Sequence, residues 1–240
     1  MTKTIFITGS TGMIGKELVK YFLGNTDYNL MLLTHKNGKA MDKAELLSSV
    51  FDINKSNEYR SRILITKGDI TANDVGLSKE AQEVFLEKVN FIIHSAASTK
   101  FNLPIDEIRK INVEGTKNII NLALKSDNVE KFSFVSTVYV SGKKTGHILE
   151  SDHSNEFGFV NTYEQSKYEA EKLVRGYSAK LPFVIYRLST VVGDSKTGRV
   201  GHFTAPHHAL KMMYLGLASM IPGKPDYSID FIPSDVSAKI

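Results

Sequence analysis

The sequence predicts an α/β protein built on a doubly wound parallel sheet with helices on both faces, and three observations support this fold class. Short runs of β-branched and aliphatic residues alternate with longer segments of helical period along most of the 240 residues. The first strand leads directly into a turn with three regularly spaced glycines, followed by an amphipathic helix. No internal repeat or low-complexity linker divides the chain. We therefore expect one Rossmann-type domain whose ligand crevice lies at the carboxyl ends of the strands.

The elements follow in a regular order. Strands are predicted at Thr4–Thr8, Asn29–Thr34, Arg62–Thr66, Phe91–His94, Lys131–Ser136 and Phe183–Arg187. Helices are predicted at Met13–Leu23, Met41–Phe51, Lys79–Lys88, Ile105–Lys125, Thr162–Ala179 and His207–Leu217. Glycine and proline interrupt the chain after Val192, so residues 1–192 are interpreted as a dinucleotide-binding core and residues 193–240 as a small C-terminal substrate-side region. We expect a free N-terminus at Met1 and a natural protein that continues past Ile240.

Composition excludes several function classes. The chain has no cysteine, which rules out disulfides, thiolate metal sites and a cysteine nucleophile. Its 30 basic and 26 acidic residues are mixed along the chain, so no nucleic-acid partner is expected. No stretch resembles a signal peptide or a membrane span, so we expect a cytoplasmic protein without a membrane partner. His202, His207 and His208 lack further ligands of suitable spacing, and no metal is expected.

The glycine turn after the first strand predicts a phosphate-binding site. Gly9 permits the sharp turn, Gly12 lets a pyrophosphate approach the backbone, and Gly15 lets the helix pack closely on the strand. The free N–H groups at the helix N-terminus favour an anion. The predicted dinucleotide contacts in this turn are Thr8, Gly9, Thr11, Gly12, Met13, Ile14 and Gly15.

The ends of three further strands predict the rest of the dinucleotide site. No acid follows the second strand, where one would bind a ribose 2′-hydroxyl, so NADP(H) is favoured over NAD(H), with His35 or Lys36 near the 2′-phosphate. The alternative is that both are solvated loop residues. After the third strand, Asp69 can accept from the adenine amino group and Ile70 can cover the ring. After the fourth strand, the small residues Ser95, Ala96 and Ala97 can admit the cofactor close to the backbone.

A tyrosine and a lysine on one helix predict the reacting centre. Tyr163 and Lys167 stand four residues apart and therefore on one helical face. A neighbouring ammonium and the positive charge of an oxidised nicotinamide both favour the phenolate, so we expect the pKa of Tyr163 to move toward working pH for general acid/base catalysis. Thr137, at the end of the fifth strand, can donate to a substrate carbonyl oxygen. Lys167 is also expected to hold the nicotinamide ribose, so Tyr163 and Lys167 are included among the predicted cofactor contacts. Asn112 can hold a water that links Lys167 to solvent.

These residues together resemble the extended short-chain dehydrogenases/reductases over essentially the whole chain. The matching segments are Thr8-Gly9-Ser10-Thr11-Gly12-Met13-Ile14-Gly15, Gly68-Asp69-Ile70, His94-Ser95-Ala96-Ala97, Asn112-Val113-Glu114-Gly115-Thr116, Ser136-Thr137, and Tyr163 with Lys167. The resemblance implies an oxidoreductase with catalytic Thr137, Tyr163 and Lys167, supported by Asn112, and a nicotinamide cofactor.

Two later segments are most similar to the thioester reductase and fatty acyl-CoA reductase branch of that family: 186–198 and 229–235. This resemblance implies reduction of an acyl thioester, on coenzyme A or a carrier protein, to an aldehyde or onward to an alcohol. His35 stands where the branch has arginine. Leu188 stands where it has proline and is included among the predicted cofactor contacts.

Other functions remain open from the sequence. The same scaffold and triad serve sugar-nucleotide epimerases, dehydratases and ketone reductases, and a rival of another class is a non-catalytic nicotinamide-binding or docking module. A homodimer is a family-level expectation. We interpret His94 as a packed, hydrogen-bonded imidazole rather than a base. Packing in the core or a lid is also favoured over an acyl pocket for Phe157, Phe159 and the segment 212–214.

Overall fold

The computed structural model describes residues 2–35, 45, 59–201, 203–217 and 228–239, and its main feature is a six-stranded sheet. The strands are β1 (Thr4–Thr8), β2 (Asn29–His35), β3 (Ile63–Gly68), β4 (Val89–His94), β5 (Lys131–Thr137) and β6 (Phe183–Leu188). All neighbouring strands are parallel, in the order β3-β2-β1-β4-β5-β6. The order reverses between β1 and β4, which confirms the predicted doubly wound fold and locates its ligand crevice.

The described helices connect these strands. They are α1 (Met13–Asn25), α2 (Lys79–Lys88), α3 (Ile105–Arg109 and Gly115–Ala123), α4 (Thr162–Gly176), α5 (Ala205–Tyr214) and α6 (Ser234–Ser237). Most bounds agree with the predicted ones to within three residues. The predicted helix Met41–Phe51 lies, except for Glu45, outside the described residues, as do Lys36 and His202.

Strand alternation divides the core between the two faces of the sheet. In β1, Phe6 faces a cluster formed with α2, α3 and α4, and its ring meets Phe85 edge-on with centroids 5.0 Å apart. Ile5 and Ile7 face the opposite cluster, which contains Leu18 and Val19 of α1. Parallel strands covered on both faces are expected to be buried along their whole length, as all five residues of β1 are.

Three features were not predicted. Helix α3 was expected to be regular, but a π-helical turn, Lys110–Glu114, interrupts it and contains Asn112. Arg62 was assigned to the third strand, but it precedes β3, and its guanidinium donates to the carbonyls of Leu23 and Thr26 at the end of α1. A second, two-stranded sheet pairs β7 (Thr190–Val192) with β8 (Phe231–Pro233) in parallel.

Within the part of the chain that the structure describes, no helix has the length and apolar character needed to cross a membrane.

Candidate active site

The glycine turn lies at the carboxyl end of β1, with close packing that explains two of its glycines. Gly9 has a φ of 72°, and a Cβ there would lie 2.7 Å from the Ala96 nitrogen. A Cβ on Gly15 would lie 2.0 Å from the Gly9 carbonyl oxygen. Gly12 precedes α1 and provides no capping side chain for the first N–H groups of that helix. The first backbone N–H groups of α1 are therefore available to donate hydrogen bonds to an anion.

Side-chain hydrogen bonds join this turn to the end of β4. The Ser95 hydroxyl donates to the Thr8 carbonyl oxygen over 2.7 Å, and the Ala96 N–H donates to the Thr8 hydroxyl over 3.2 Å. The Thr8 hydroxyl also lies 2.7 Å from His94 Nδ1. The hydroxyls of Thr8 and Ser95 thus hold β1 to β4, and the half-buried Ala97 follows them along the crevice.

The buried His94 ring continues this connection toward α3. Its Nε2 lies 3.0 Å from the hydroxyl of Thr116, which itself donates to the carbonyl oxygen of Asn112. Burial, with a smaller contribution from the charge of Lys167, lowers the pKa of His94 to about 3. This confirms the interpretation of His94 as a packed, neutral imidazole.

The ends of β2 and β3 bring His35 and Asp69 together. His35 Nε2 lies 4.0 Å from Asp69 Oδ2, and the His35 side chain is mostly exposed. The other Asp69 oxygen accepts hydrogen bonds from the Thr71 backbone and hydroxyl, and the backbone bond lowers the pKa of Asp69 most. Ile70 packs closely against Gly115: a Cβ added at Gly115 would lie 2.9 Å from the Cδ1 atom of Ile70. A carboxylate therefore lies beside the proposed 2′-phosphate position, which the sequence of β2 did not show.

Leu188 and Ile14 lie on the side of the sheet that α1 covers. Leu188 ends β6 as the register partner of Thr137. Both Leu188 and Ile14 line a small cavity of about 90 Å³ against Ala238. Met13, by contrast, lines a larger cleft of about 330 Å³ with Arg199. Thr11 is exposed in the turn.

Tyr163 lies in the first turn of α4, with its phenol directed to the end of β5. Asn161 caps the helix by accepting the Glu164 N–H. The Tyr163 hydroxyl lies beside the Thr137 side chain, which acts to lower the pKa of the phenol, and the Tyr163 ring lies 5.5 Å from that of Phe101. Burial raises the pKa of Tyr163 to about 12. Among the protein's own groups, desolvation of the phenolate is the largest effect, so the lowering expected from Lys167 is not found, and the lowering expected from an oxidised nicotinamide stays a prediction.

Lys167 follows one helical turn later and is almost completely buried. Its ammonium nitrogen donates to the Val135 carbonyl oxygen over 2.8 Å and lies 4.1 Å from the centre of the Phe134 ring. Burial lowers the pKa of Lys167 to about 7, while the charge of Glu171 opposes this change. The structure thus brings together Thr137, Tyr163 and Lys167, as the sequence predicts.

Asn112 holds the site together through both ends of its side-chain amide. Its Nδ2 donates to the Ser98 carbonyl oxygen over 3.0 Å and to the Ser166 hydroxyl over 2.8 Å, while its Oδ1 accepts the Ser98 N–H. Only one lone pair of Oδ1 is left for a water. The expected water-holding role is thus restricted to that lone pair, and the observed role is to join α3, α4 and the loop after β4.

Sequence reasoning missed several residues of this region. Glu171 continues the face that carries Tyr163 and Lys167, and the four-residue spacing was a usable signal. Phe101 and Tyr139 have no such signal, because Phe101 lies in a turn and Tyr139 in a single 3-10 helical turn after β5. Both are more than a third exposed and lie close to Tyr163, so they border the reacting centre with apolar surface.

The residues of α5 differ from expectation. Met212, Met213 and Tyr214 were interpreted as packing residues, but all three are exposed, Tyr214 at 91%. Phe159 does pack, with its ring 5.2 Å from that of Tyr168, whereas Phe157 is half exposed. Of the three histidines considered as ligands, His207 instead closes a capping box with Thr204 at the start of α5.

A family model and curated relatives both match this chain over almost its whole length. A family model described as male sterility protein matches residues 7–240. Fatty acyl-CoA reductase wat of Drosophila melanogaster is 27% identical over 269 residues, covering 98% of this chain and 52% of that protein. The chain therefore spans about half the length of the curated relatives it matches.

Two solved structures show how far the likeness extends. The terminal R domain from the myxalamid PKS-NRPS biosynthetic pathway superposes with a TM-score of 0.86 at 28% identity, covering 99% of this chain and 60% of the other. UDP-glucuronic acid 4-epimerase from Bacillus cereus, in complex with UDP-glucuronic acid and NAD, superposes with a TM-score of 0.71 at 23% identity, covering 97% and 69%. The second likeness shows a shared fold alone.

Proposed function

Because this chain belongs to the NAD-binding family described as male sterility protein, we propose that it is a nicotinamide-dependent reductase that converts an acyl thioester to an aldehyde. One observation carries the proposal: the Tyr163 phenol and the Lys167 ammonium both contact the end of β5, beside the glycine turn. A fatty acyl-CoA reductase and the terminal R domain of a synthase are among its relatives, so the thioester is proposed to be on coenzyme A or a carrier protein. An aldehyde is the second proposed substrate.

The residues of the turn fit a dinucleotide. The backbone N–H groups at the start of α1 would hold its pyrophosphate, and a side chain at Gly12 would stand in front of them. Asp69 and Ile70 would contact the adenine, and Lys167 the nicotinamide ribose. We favour NADP(H), with His35 or Lys36 near the 2′-phosphate.

The side chains of the site would then orient the carbonyl group and supply the proton that its oxygen takes up before the thiol leaves. The bound dinucleotide would supply a hydride to the carbonyl carbon. Thr137 would donate a hydrogen bond to the carbonyl oxygen, and Tyr163 would give that oxygen its proton. The raised pKa of Tyr163 keeps the phenol protonated before the reaction, as a proton donor requires. Loss of the thiol from the resulting hemithioacetal leaves the aldehyde.

Apolar surface beside the phenol supports an acyl rather than a sugar substrate. Phe101 contacts the Tyr163 ring, and the half-exposed Val138 and Tyr139 follow Thr137 directly. An acyl chain can cover these side chains, whereas a sugar-nucleotide would need polar partners there. Location in the cytoplasm and a homodimer remain predictions.

The test measures oxidation of NADPH, with NADH in parallel, in the presence of acyl-CoA thioesters, acyl carrier-protein thioesters, aldehydes and UDP-sugars. We expect thioester or aldehyde turnover that Tyr163→Phe lowers by at least about a hundredfold, the usual size of a general acid contribution. NADPH should still bind to this variant, because only one hydroxyl is lost. Turnover of UDP-sugars alone, or full activity of Tyr163→Phe, would contradict the proposal.

A further inference from the structure

One face of α4 contacts the last three residues of β5 through side chains that are one helical turn apart. Tyr163 lies beside the side chain of Thr137, and Lys167 donates to the Val135 carbonyl oxygen. Glu171, one turn further, accepts a hydrogen bond of 3.0 Å from the hydroxyl of Ser136, which lies between them in the strand. The third contact uses a residue that has no part in the proposed proton transfer.

Glu171 is a completely buried carboxylate held by two arginines. Arg175, on the same helix, donates to its Oε1 over 2.8 Å, and Arg187 of β6 donates to the same oxygen over 2.6 Å. Arg187 is also the register partner of Ser136 and donates to the carbonyl oxygen of Asp152. A buried carboxylate requires such partners, because an unpaired one would be strongly disfavoured.

His153 also lies beside the Glu171 carboxylate. The Nε2 of His153 lies 3.8 Å from Glu171 Oε1, and its ring stacks on Tyr168 with centroids 4.1 Å apart. Burial lowers the pKa of His153, so the imidazole is neutral at pH 7. The local charges are thus one carboxylate and two guanidinium groups.

Lys167 faces few other groups. The neutral His94 of β4 and the Phe134 ring of β5 lie on the strand side, Tyr163 precedes it on α4, and Glu171 is the acidic group that acts on it. If the Glu171 charge were removed, the two arginines would remain beside the end of β5 without compensation. The ammonium of Lys167 would then lie in a more positive environment.

We propose that Glu171 is a positioning residue of the active site, which holds Ser136 and Thr137 in place against α4 and keeps the ammonium form of Lys167 favoured. The charge role follows from the structure of the free protein, whereas the effect on turnover rests on the proposed function. The two parts are therefore measured separately.

The charge role is tested by NMR titration of the Lys167 side chain in protein containing 13C-labelled lysine, with the signal assigned from Lys167→Arg. In Glu171→Gln, we expect the titration midpoint of Lys167 to fall by about one pH unit, the low end of the effect of a nearby opposite charge. Glu169→Gln is the matched control, because Glu169 also lies on α4 and pairs with an arginine, Arg109 of α3, but on another face of the helix. A midpoint equal to that of the native protein in Glu171→Gln would overturn the charge role.

The positioning role is tested by Ser136→Ala, which keeps the Glu171 charge and is the milder change if Glu171→Gln does not fold. We expect an unchanged Lys167 midpoint and unchanged NADPH affinity, but a kcat for thioester reduction lowered about tenfold or more. Glu171→Asp should restore the midpoint without restoring kcat, because the shorter side chain cannot reach Ser136. Native kcat in Ser136→Ala would overturn this role. Absence of turnover in the native protein would refute the proposed function and leave the midpoint result standing.

Discussion

At the scale of single residues, burial changes the acid–base behaviour of three groups near the reacting centre. The pKa of Tyr163 rises to about 12, while those of Lys167 and His94 fall to about 7 and about 3. In each case the charged form loses its hydration. The free protein therefore combines a neutral phenol with a lysine that is partly charged near pH 7. Residue spacing predicts that Tyr163 and Lys167 are neighbours, but it contains no information about their desolvation.

The buried His94 predicts a specific loss of stability in weak acid. Its folded pKa of about 3 lies below its ordinary value of 6.5, so between these values the unfolded chain binds a proton that the folded chain does not. The contribution of neutral His94 to the free energy of unfolding is therefore fully present above about pH 6.5 and is lost as the pH falls toward 3. The slope is at most about 1.4 kcal/mol per pH unit. Urea unfolding at pH 7.0, 6.0 and 5.0 measures it.

His94→Gln separates this effect from other titrating groups. The glutamine retains polar contacts toward Thr8 and Thr116 but cannot take up a proton. The carboxylates and His153 still titrate in the variant, so the difference in slope between the two proteins belongs to His94. We expect the native protein to lose more of its unfolding free energy between pH 6.5 and 5 than the variant. Parallel curves would show that His94 is not kept neutral by burial.

At the scale of elements, the contacts of the crevice depend on how closely α1 approaches β1 and how α3 is interrupted. The approach of α1 could be predicted, because Gly15 in this turn is typical of close helix–strand packing. The π-helical turn of α3 could not, since nothing in the period of Lys110–Glu114 distinguishes it from an α-helix. That turn places Asn112 against Ser98 and Ser166. Such turns are frequent at functional sites.

Gly15→Ala tests the approach of α1. A methyl group would lie 2.0 Å from the Gly9 carbonyl oxygen, and because the obstacle is backbone, α1 or the turn must move. We expect the affinity for NADPH, measured by fluorescence titration, to fall at least about tenfold. The free energy of unfolding should fall by about 1–3 kcal/mol, as for overpacking of a tight core.

Gly24→Ala is the matched control within the same helix. A Cβ at Gly24 meets nothing within 4 Å, and its φ is not positive. Alanine there should leave NADPH affinity unchanged and raise the unfolding free energy by about 0.5–1 kcal/mol through a lower entropy of the unfolded chain. Native NADPH affinity in Gly15→Ala would show that the close approach is not needed for the dinucleotide site.

At the scale of the whole molecule, the sequence predicts the features that depend on local pattern. The six-stranded sheet follows from alternating periods, and the glycine turn from its position after β1. Non-local pairings could not be predicted: β7 meets β8 across about forty residues, and Arg187 meets Glu171 from a different element. His35 was placed correctly at the end of β2, but its neighbour Asp69 depends on the register of β3.

The C-terminal segment 193–240 is predicted to be required for the stability of the core. Its strand β8 pairs with β7 in the two-stranded sheet, and the Ser234 N–H donates to the Gly193 carbonyl oxygen. Ala238 is buried in the cluster that contains Ile5 and Leu18 of the opposite end of the chain. A chain that ends at Val192 leaves this cluster uncovered.

We therefore expect the chain shortened to residues 1–192 to unfold at a lower urea concentration than the whole chain, in a single transition. Because the shortened chain also loses α5, the point variant Ala238→Asp provides a narrower measurement: a carboxylate placed in the apolar cluster should cost about 2–4 kcal/mol of unfolding free energy. Leu210→Asp on the exposed face of α5 is the control and should cost less than about 0.5 kcal/mol. Equal urea midpoints for the whole chain, residues 1–192 and Ala238→Asp would show instead that the core folds without this segment, and that the division at Val192 is a true domain boundary.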